Sequence, residues 1–160
     1  MASLRFETPL GPCGISWQED KLTGFALPPT PEGSGDSVPD WIGEIVRDVQ
    51  AHLGGQMRNF AALPYAWEKV TPFQRDIYIA ALGVKPGETW SYGQLTLAIG
   101  RPISAARAVG TALGQNPWPL LVPCHRFIGA DGRMTGFSSP GGISTKLKLL
   151  ALEGSQLFAE

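Results

Sequence analysis

Residues 91–117 read SYGQLTLAIGRPISAARAVGTALGQNP, and this stretch alone predicts two helices joined by a tight corner. Ser91 and Gln94 stand in capping-box spacing, where the Ser oxygen accepts an amide three residues on and the Gln reaches back. Gly100 and Pro102 end the first helix. Ser104 opens a second, which Asn116-Pro117 stops, because a residue before proline is pushed out of the helical region. Two short helices across a Gly-Arg-Pro turn have the form of a helix-turn-helix. The second helix is smooth: Ala105, Ala106, Ala108, Gly110 and Ala112 are small, and Arg107 is the only long polar side chain among them. Its first two turns carry no Asn, Gln or Lys to read base edges in a major groove. A surface of that kind suits close approach without sequence readout; tight helix packing accounts for the small residues equally well.

Upstream, TPFQRDIYIAALG (71–83) repeats the capping-box spacing at Thr71 and Gln74, has Pro72 in the first turn and ends at Gly83. KPGE (85–88) is a turn. Downstream, WPLLVPCHRFIG (118–129) is apolar enough to be buried, ADGR (130–133) is a turn, and STKLKLLALEG (144–154) is a closing helix capped by Gly154. The first part of the chain has another character. LRFETPLGPCGISWQEDKLTGFAL (4–27) has short β-prone runs broken by turn residues and reads as an antiparallel meander. PPTPEGSGDSVP (28–39) is a loop. DWIGEIVRDVQAHLGG (40–55) spaces Trp41, Ile45, Val49 and Leu53 as a helix does, with Asp40 as cap and Gly54 as stop. FAALPYAWEKV (60–70) is read as irregular, and there is no internal repeat. The expected class is α+β. An N-terminal antiparallel-sheet and helix lobe, residues 1–70, precedes an all-helical, winged-helix-like lobe, residues 71–160.

The composition, 43% hydrophobic and 17% charged over 160 residues, is that of a globular protein. No run approaches a membrane span, and MASLRFETPLG lacks the apolar core of a signal peptide, so a cytoplasmic location is expected. Net charge is −1, which excludes an overall basic footprint. Residues 1–72 nevertheless hold five Lys/Arg against nine Asp/Glu, a net −4, and residues 73–160 hold eight against five, a net +3. An anionic partner, if there is one, would meet the C-terminal half; a chance distribution accounts for the asymmetry equally well.

Cys124 and His125 stand side by side in LLVPCHRFIG (120–129). A nucleophilic cysteine needs a neighbouring base, but adjacent residues of an extended segment point to opposite sides. Cooperation between the two requires a bend, which Pro123 favours, or a water between them. From the residues alone, a buried Cys beside a surface His is the commoner outcome. Cys13, His52, Cys124 and His125 lack the paired spacing of a metal site, so no metal is expected, and a papain-like hydrolase lacks its local signature.

TPFQRDIYIAAL, KPGETWSYGQLTLAIGRP, AARAVGTALGQNPWPLLVPCHR and LLALEG together strongly resemble the O6-alkylguanine-DNA alkyltransferases, nearly continuously from Thr71 to Gly154. TPLGPCGISWQEDKLTGFAL resembles the more variable N-terminal lobe of that family. The resemblance implies direct repair: a base flipped from double-stranded DNA on its minor-groove side, and irreversible, single-turnover transfer of its O6-alkyl group (and that of O4-alkylthymine) to the protein. It makes Cys124 the acceptor, His125 the base acting through water, and Glu153 the residue that orients it. Asn116 becomes the hinge, Tyr92 the proton donor to guanine N3, and Arg107 the finger that fills the gap left by the base. Ser91, Tyr92, Ala105 and Ala106 would meet DNA. Leu113, Phe127, Phe137 and Ser138 would line the base pocket, with the Cys124 and Phe127 carbonyls and the Ser138 amide turned toward the base. A monomer without cofactor or zinc is implied, nucleoid-associated if bacterial.

The chain departs from the family pattern at Phe127, where Val is usual, at GFSSPGG (136–142), which is longer and has Phe137 for Tyr, and at a helix-turn-helix link one residue longer. Two further readings stand beside transfer: an alkyltransferase-like protein that grips the lesion without transfer, and a regulatory DNA-binding module with an inert cysteine. Proteins of the first kind carry Trp or another residue in place of the acceptor cysteine, and the smooth helix does not favour the second.

Overall fold

The computed structural model describes residues 2–30, 37–129 and 142–155. The meander forms as expected. β1 (Ala2–Phe6), β2 (Cys13–Gln18) and β3 (Lys21–Ala26) pair antiparallel in that order. Along β2 the side chains of Cys13, Ile15 and Trp17 are buried in alternation with Gly14 and Ser16, the two-residue period of a strand with one face on a core. That core is closed by α1 (Asp40–Leu53), whose inward stripe is Ile42, Ile45, Val49, His52 and Leu53. Trp41, expected on the stripe, packs only at its edge. Asp40 is the first helical residue and Pro39 the cap, with no side-chain cap bond, so the expected Asp40 cap is corrected by one position.

α2 (Pro72–Ala81) and α3 (Tyr92–Ala98) begin at complete capping boxes, Thr71 with Gln74 and Ser91 with Gln94. α2 gives way at Leu82 rather than Gly83. After the corner the chain makes one 3₁₀ turn over Ile103–Ala105, so α4 (Ala106–Gly114) starts two residues later than Ser104 predicts. α5 (Gly142–Leu152) closes the chain, followed by Gly154 at φ +83°, a conformation open to glycine. The C-terminal half is not wholly helical: β4 (Trp90–Ser91) and β5 (Phe127–Ile128) form a parallel pair. Strands of two residues carry no periodicity, which is why the sequence does not disclose them.

The two halves share one hydrophobic cluster, from Phe6 in β1 to Leu149 in α5. β3 is joined to later segments rather than left as a bare edge. Its Leu22 amide donates to the Pro64 carbonyl, its Leu22 carbonyl accepts from Ala66 N–H and Trp118 Nε1, and its Phe25 amide donates to the Pro117 carbonyl. FAALPYAWEKV is therefore not wholly irregular: Tyr65 bridges to Leu22 and Trp67–Lys69 form a 3₁₀ turn. Trp118, fully buried, meets Tyr65, Trp67 and Tyr78 edge-on, with ring centroids 5.1, 5.5 and 6.3 Å away. The segment that leads into Cys124 is thus anchored on the N-terminal sheet.

Candidate active site

Residues 118–127 are all buried, as their apolar character predicts. Asn116 ties this segment into a loop: its Nδ2 donates to the Val122 carbonyl at 2.8 Å and its Oδ1 accepts from the Trp118 amide at 2.9 Å. Within the loop, Leu120 takes φ +78°, an uncommon conformation for a bulky residue that the surrounding packing enforces. Asn116 also acts to lower the Cys124 thiol against its burial. One residue therefore fixes the loop and favours the thiolate.

Cys124–Arg126 form a 3₁₀ turn rather than an extended strand. The bend removes the opposed geometry expected of adjacent residues and lets Cys124, His125 and Arg126 all be buried. His125 is fully enclosed, which corrects the expectation of a surface histidine. Its Nε2 stands 2.9 Å from Glu153 Oε1, just beyond α5. Arg126 grips the same carboxylate side-on, with Nε 2.9 Å from Oε1 and an η-nitrogen 2.7 Å from Oε2, while its other η-nitrogen donates to the Val84 carbonyl. His52, on the buried stripe of α1, adds Nε2 at 2.9 Å from Oε2.

Burial pushes the Glu153 carboxyl up, but the hydrogen bonds from Arg126, His125 and His52 outweigh it and hold the group well below the usual carboxylate range. Burial lowers the His125 pKa more than Glu153 raises it, so the ring is neutral at pH 7. A neutral ring that donates Nε2–H to Glu153 has its lone pair on Nδ1. That Nδ1 is buried and has no hydrogen-bond partner among the described residues. Burial also raises the Cys124 thiol, with Asn116 and Lys146 acting the other way. The resting site thus holds a protonated sulfur next in sequence to an unengaged base.

Lys146 of α5 is fully buried and donates to the Phe127 carbonyl, and burial depresses its ammonium to about 8. Its Nζ lies 5.9 Å from the centre of the Tyr92 ring. Tyr92 opens α3 and also faces Gly110 of α4, where a methyl group would lie 3.8 Å from its Cδ1. Ser91 is occupied as the α3 cap, with Oγ accepting from Gln94 N–H at 3.0 Å. Ala105 and Ala106 stand half-buried at the start of α4, and Arg107 is exposed one residue on. Leu113 and Phe127 are core residues, 3% and 0% exposed. Phe127 therefore fills the interior with its ring, and its carbonyl accepts from Lys146. The Cys124 carbonyl accepts the Phe127 amide. Phe137, Ser138 and the ADGR turn lie outside the described residues.

His52, Arg126 and Lys146 are the members that sequence reasoning missed. His52 had a signal: it falls three residues after Val49, on the buried stripe of an amphipathic helix. Arg126 stands inside the Cys-His-Arg run. Nothing local distinguishes Lys146 from Lys148. Among the described residues no three His, Cys, Asp or Glu side chains converge as a metal site.

The comparisons with known proteins agree on one family. The family described as "6-O-methylguanine DNA methyltransferase, DNA binding domain" matches residues 72–155. A methylated-DNA–protein-cysteine methyltransferase of Methanosarcina acetivorans is 38% identical, covering 94% of this chain and 96% of its own length. The Mycobacterium tuberculosis protein of that name is 36% identical over 96% of this chain and 93% of its own. The solved structure of M. tuberculosis OGT in complex with DNA matches at TM-score 0.80 and 34% identity, over 95% of this chain and 92% of that one. With more than half of the chain covered by the family match and nearly all of it by these relatives, the chain belongs to the methylated-DNA–protein-cysteine methyltransferase family.

Proposed function

We propose that the protein repairs DNA by moving the alkyl group of O6-alkylguanine onto the sulfur of Cys124. The observation that carries this reading is the buried neutral His125, held through Nε2 by Glu153 and left with an unengaged Nδ1 on the residue that follows the cysteine. Attack at a saturated carbon forms no oxyanion, so the site needs only a means of making a thiolate and a proton for the departing base. The S–C bond forms as the C–O6 bond breaks. The thiol proton passes through one water to His125 Nδ1, and the Tyr92 hydroxyl gives a proton to guanine N3, to be restored from the imidazolium or solvent. A protonated resting thiol suits this order, because the sulfur is activated only when it is needed. The thioether formed is not cleaved by water, and the protein acts once.

DNA engagement falls to the helix-turn-helix. Ser91, Tyr92, Ala105 and Ala106 lie at the starts of α3 and α4, and exposed Arg107 supplies a long side chain able to enter the stack from the minor-groove side. Extruding a base costs about a few kcal/mol, which an inserted Arg partly offsets. Leu113 and Phe127 back the base pocket, and residues 1–70 serve as a structural lobe. No helix among the described residues is long and apolar enough to cross a membrane.

The test uses an oligonucleotide duplex whose O6-benzylguanine carries a radiolabel on the benzyl group. Label enters the protein up to one equivalent and is absent in Cys124→Ala. Tight duplex binding by a wild-type protein that takes no label would replace this reading with lesion binding without transfer.

A further inference from the structure

Glu153 accepts four hydrogen bonds, two on each oxygen: His125 Nε2 and Arg126 Nε on Oε1, Arg126 and His52 Nε2 on Oε2. A carboxylate has about four such sites, so this one is saturated. Alkyl transfer as proposed uses His125 and Glu153, and Arg126 balances the charge. His52 has no part in it, yet it is fully buried and comes from α1, 101 residues away in sequence. Its tautomer follows from its surroundings. Nδ1 accepts the Arg58 amide at 3.0 Å, so the neutral ring carries its proton on Nε2 and donates it to Glu153. The Phe60 ring, with centroids 5.4 Å apart, holds the imidazole in place.

We propose that His52 is a positioning residue of the alkyl-transfer centre: it fixes Oε2 of Glu153 so that Oε1 stays on His125, and through it the N-terminal half orients the base. This rests on the proposed transfer to Cys124. Arg126 sets the plane of the carboxylate but grips it from one side. Without His52, a lone pair of Oε2 faces a dry interior, and the carboxylate can relieve that only by turning away from His125. Every donor on the carboxylate also draws charge from it, so its pull on the His125 proton depends on how many donors it serves. The charged and titratable groups facing His125 are Glu153, Arg126 and His52, with Lys146 of α5 facing Cys124 beside it.

The experiment compares wild type, His52→Phe and His52→Gln in single-turnover labelling from benzylated duplex across pH 5–9, with duplex affinity and the ¹⁵N NMR titration of the His125 ring measured alongside. His52→Phe keeps the ring's bulk and removes the donor; His52→Gln keeps an N–H near the Nε2 position. In His52→Phe the transfer rate should fall about tenfold, the scale of one charge-assisted hydrogen bond. The acid limb of its pH–rate profile and the His125 titration should move together, duplex affinity should hold, and His52→Gln should restore rate and profile. A role in folding alone would lower stability and leave the profile and the His125 titration where wild type has them, which overturns the proposal. Labelled wild type with an unchanged His52→Phe defeats only the positioning role. Unlabelled wild type defeats the transfer reading itself, and the proposal with it.

Discussion

Glu153→Gln is the substitution whose cost follows most directly from the structure. The carboxylate takes four donors at 2.7–2.9 Å and is the counter-charge of Arg126, whose side chain is 7% exposed. Glutamine has the same shape, but its single oxygen accepts from at most two donors and its amide turns two N–H groups toward the others. Arg126 keeps its bond to the Val84 carbonyl and loses its counter-ion. Removing one member of a buried ion pair costs about 3–5 kcal/mol, a large part of the roughly 5–15 kcal/mol that holds a domain together. Urea denaturation at pH 7 should show a midpoint lower by about 2 M, for a slope of about 2 kcal/mol per M. Because the isolated guanidinium carries the cost, adding Arg126→Met should recover part of the loss. Glu153 contributes this stability as the anion. Its folded carboxyl lies well below the ordinary 4.5, so the contribution is complete above that pH and fades as acid approaches the folded value. The gap between wild type and variant should thus stay level from pH 5 to 8 and narrow only in stronger acid. A loss below about 1 kcal/mol, or a double variant weaker than the single one, would refute the reasoning.

Three other outcomes follow from the geometry. Burial lowers His125 below its ordinary 6.5, so its neutral form adds stability above that pH that is lost as pH falls toward the folded value. Between pH 6.5 and 5.5, His125→Gln should flatten the fall in unfolding free energy by up to about 1.4 kcal/mol per pH unit, the slope of one proton; an unchanged slope contradicts it. In Gly110→Ala the new methyl group meets Tyr92 at ordinary contact distance, so the helix should gain about 0.5–1 kcal/mol in thermal or urea unfolding. If duplex repair by that variant then falls while reaction with free O6-benzylguanine does not, Gly110 serves approach to DNA rather than helix packing. Arg107→Ala should slow repair in duplex far more than reaction with the free benzylated base, and equal losses would remove the finger role.

What the sequence determined by itself is the local part of the structure. Both capping boxes, the alternation Cys13-Ile15-Trp17, the apolar stripe of α1 and the buried stretch around Cys124 close their bonds or repeat their pattern within a few residues. The helix-turn-helix and the Pro-Cys-His-Arg run were legible for that reason, and with them the family. The ends of elements were less so. Asp40 reads as a cap and Ser104 as a helix start, but the cap falls one residue earlier at Pro39 and the second helix begins two residues later, through a 3₁₀ turn, at Ala106. Only the tertiary structure decided which donors share Glu153. His52, His125 and Arg126 reach it from 101, 28 and 27 residues away, and no periodicity records such a meeting. It depends on how α1, the 3₁₀ turn and the end of α5 pack, and burial then fixes the protonation of each group in a way that residue identity alone does not.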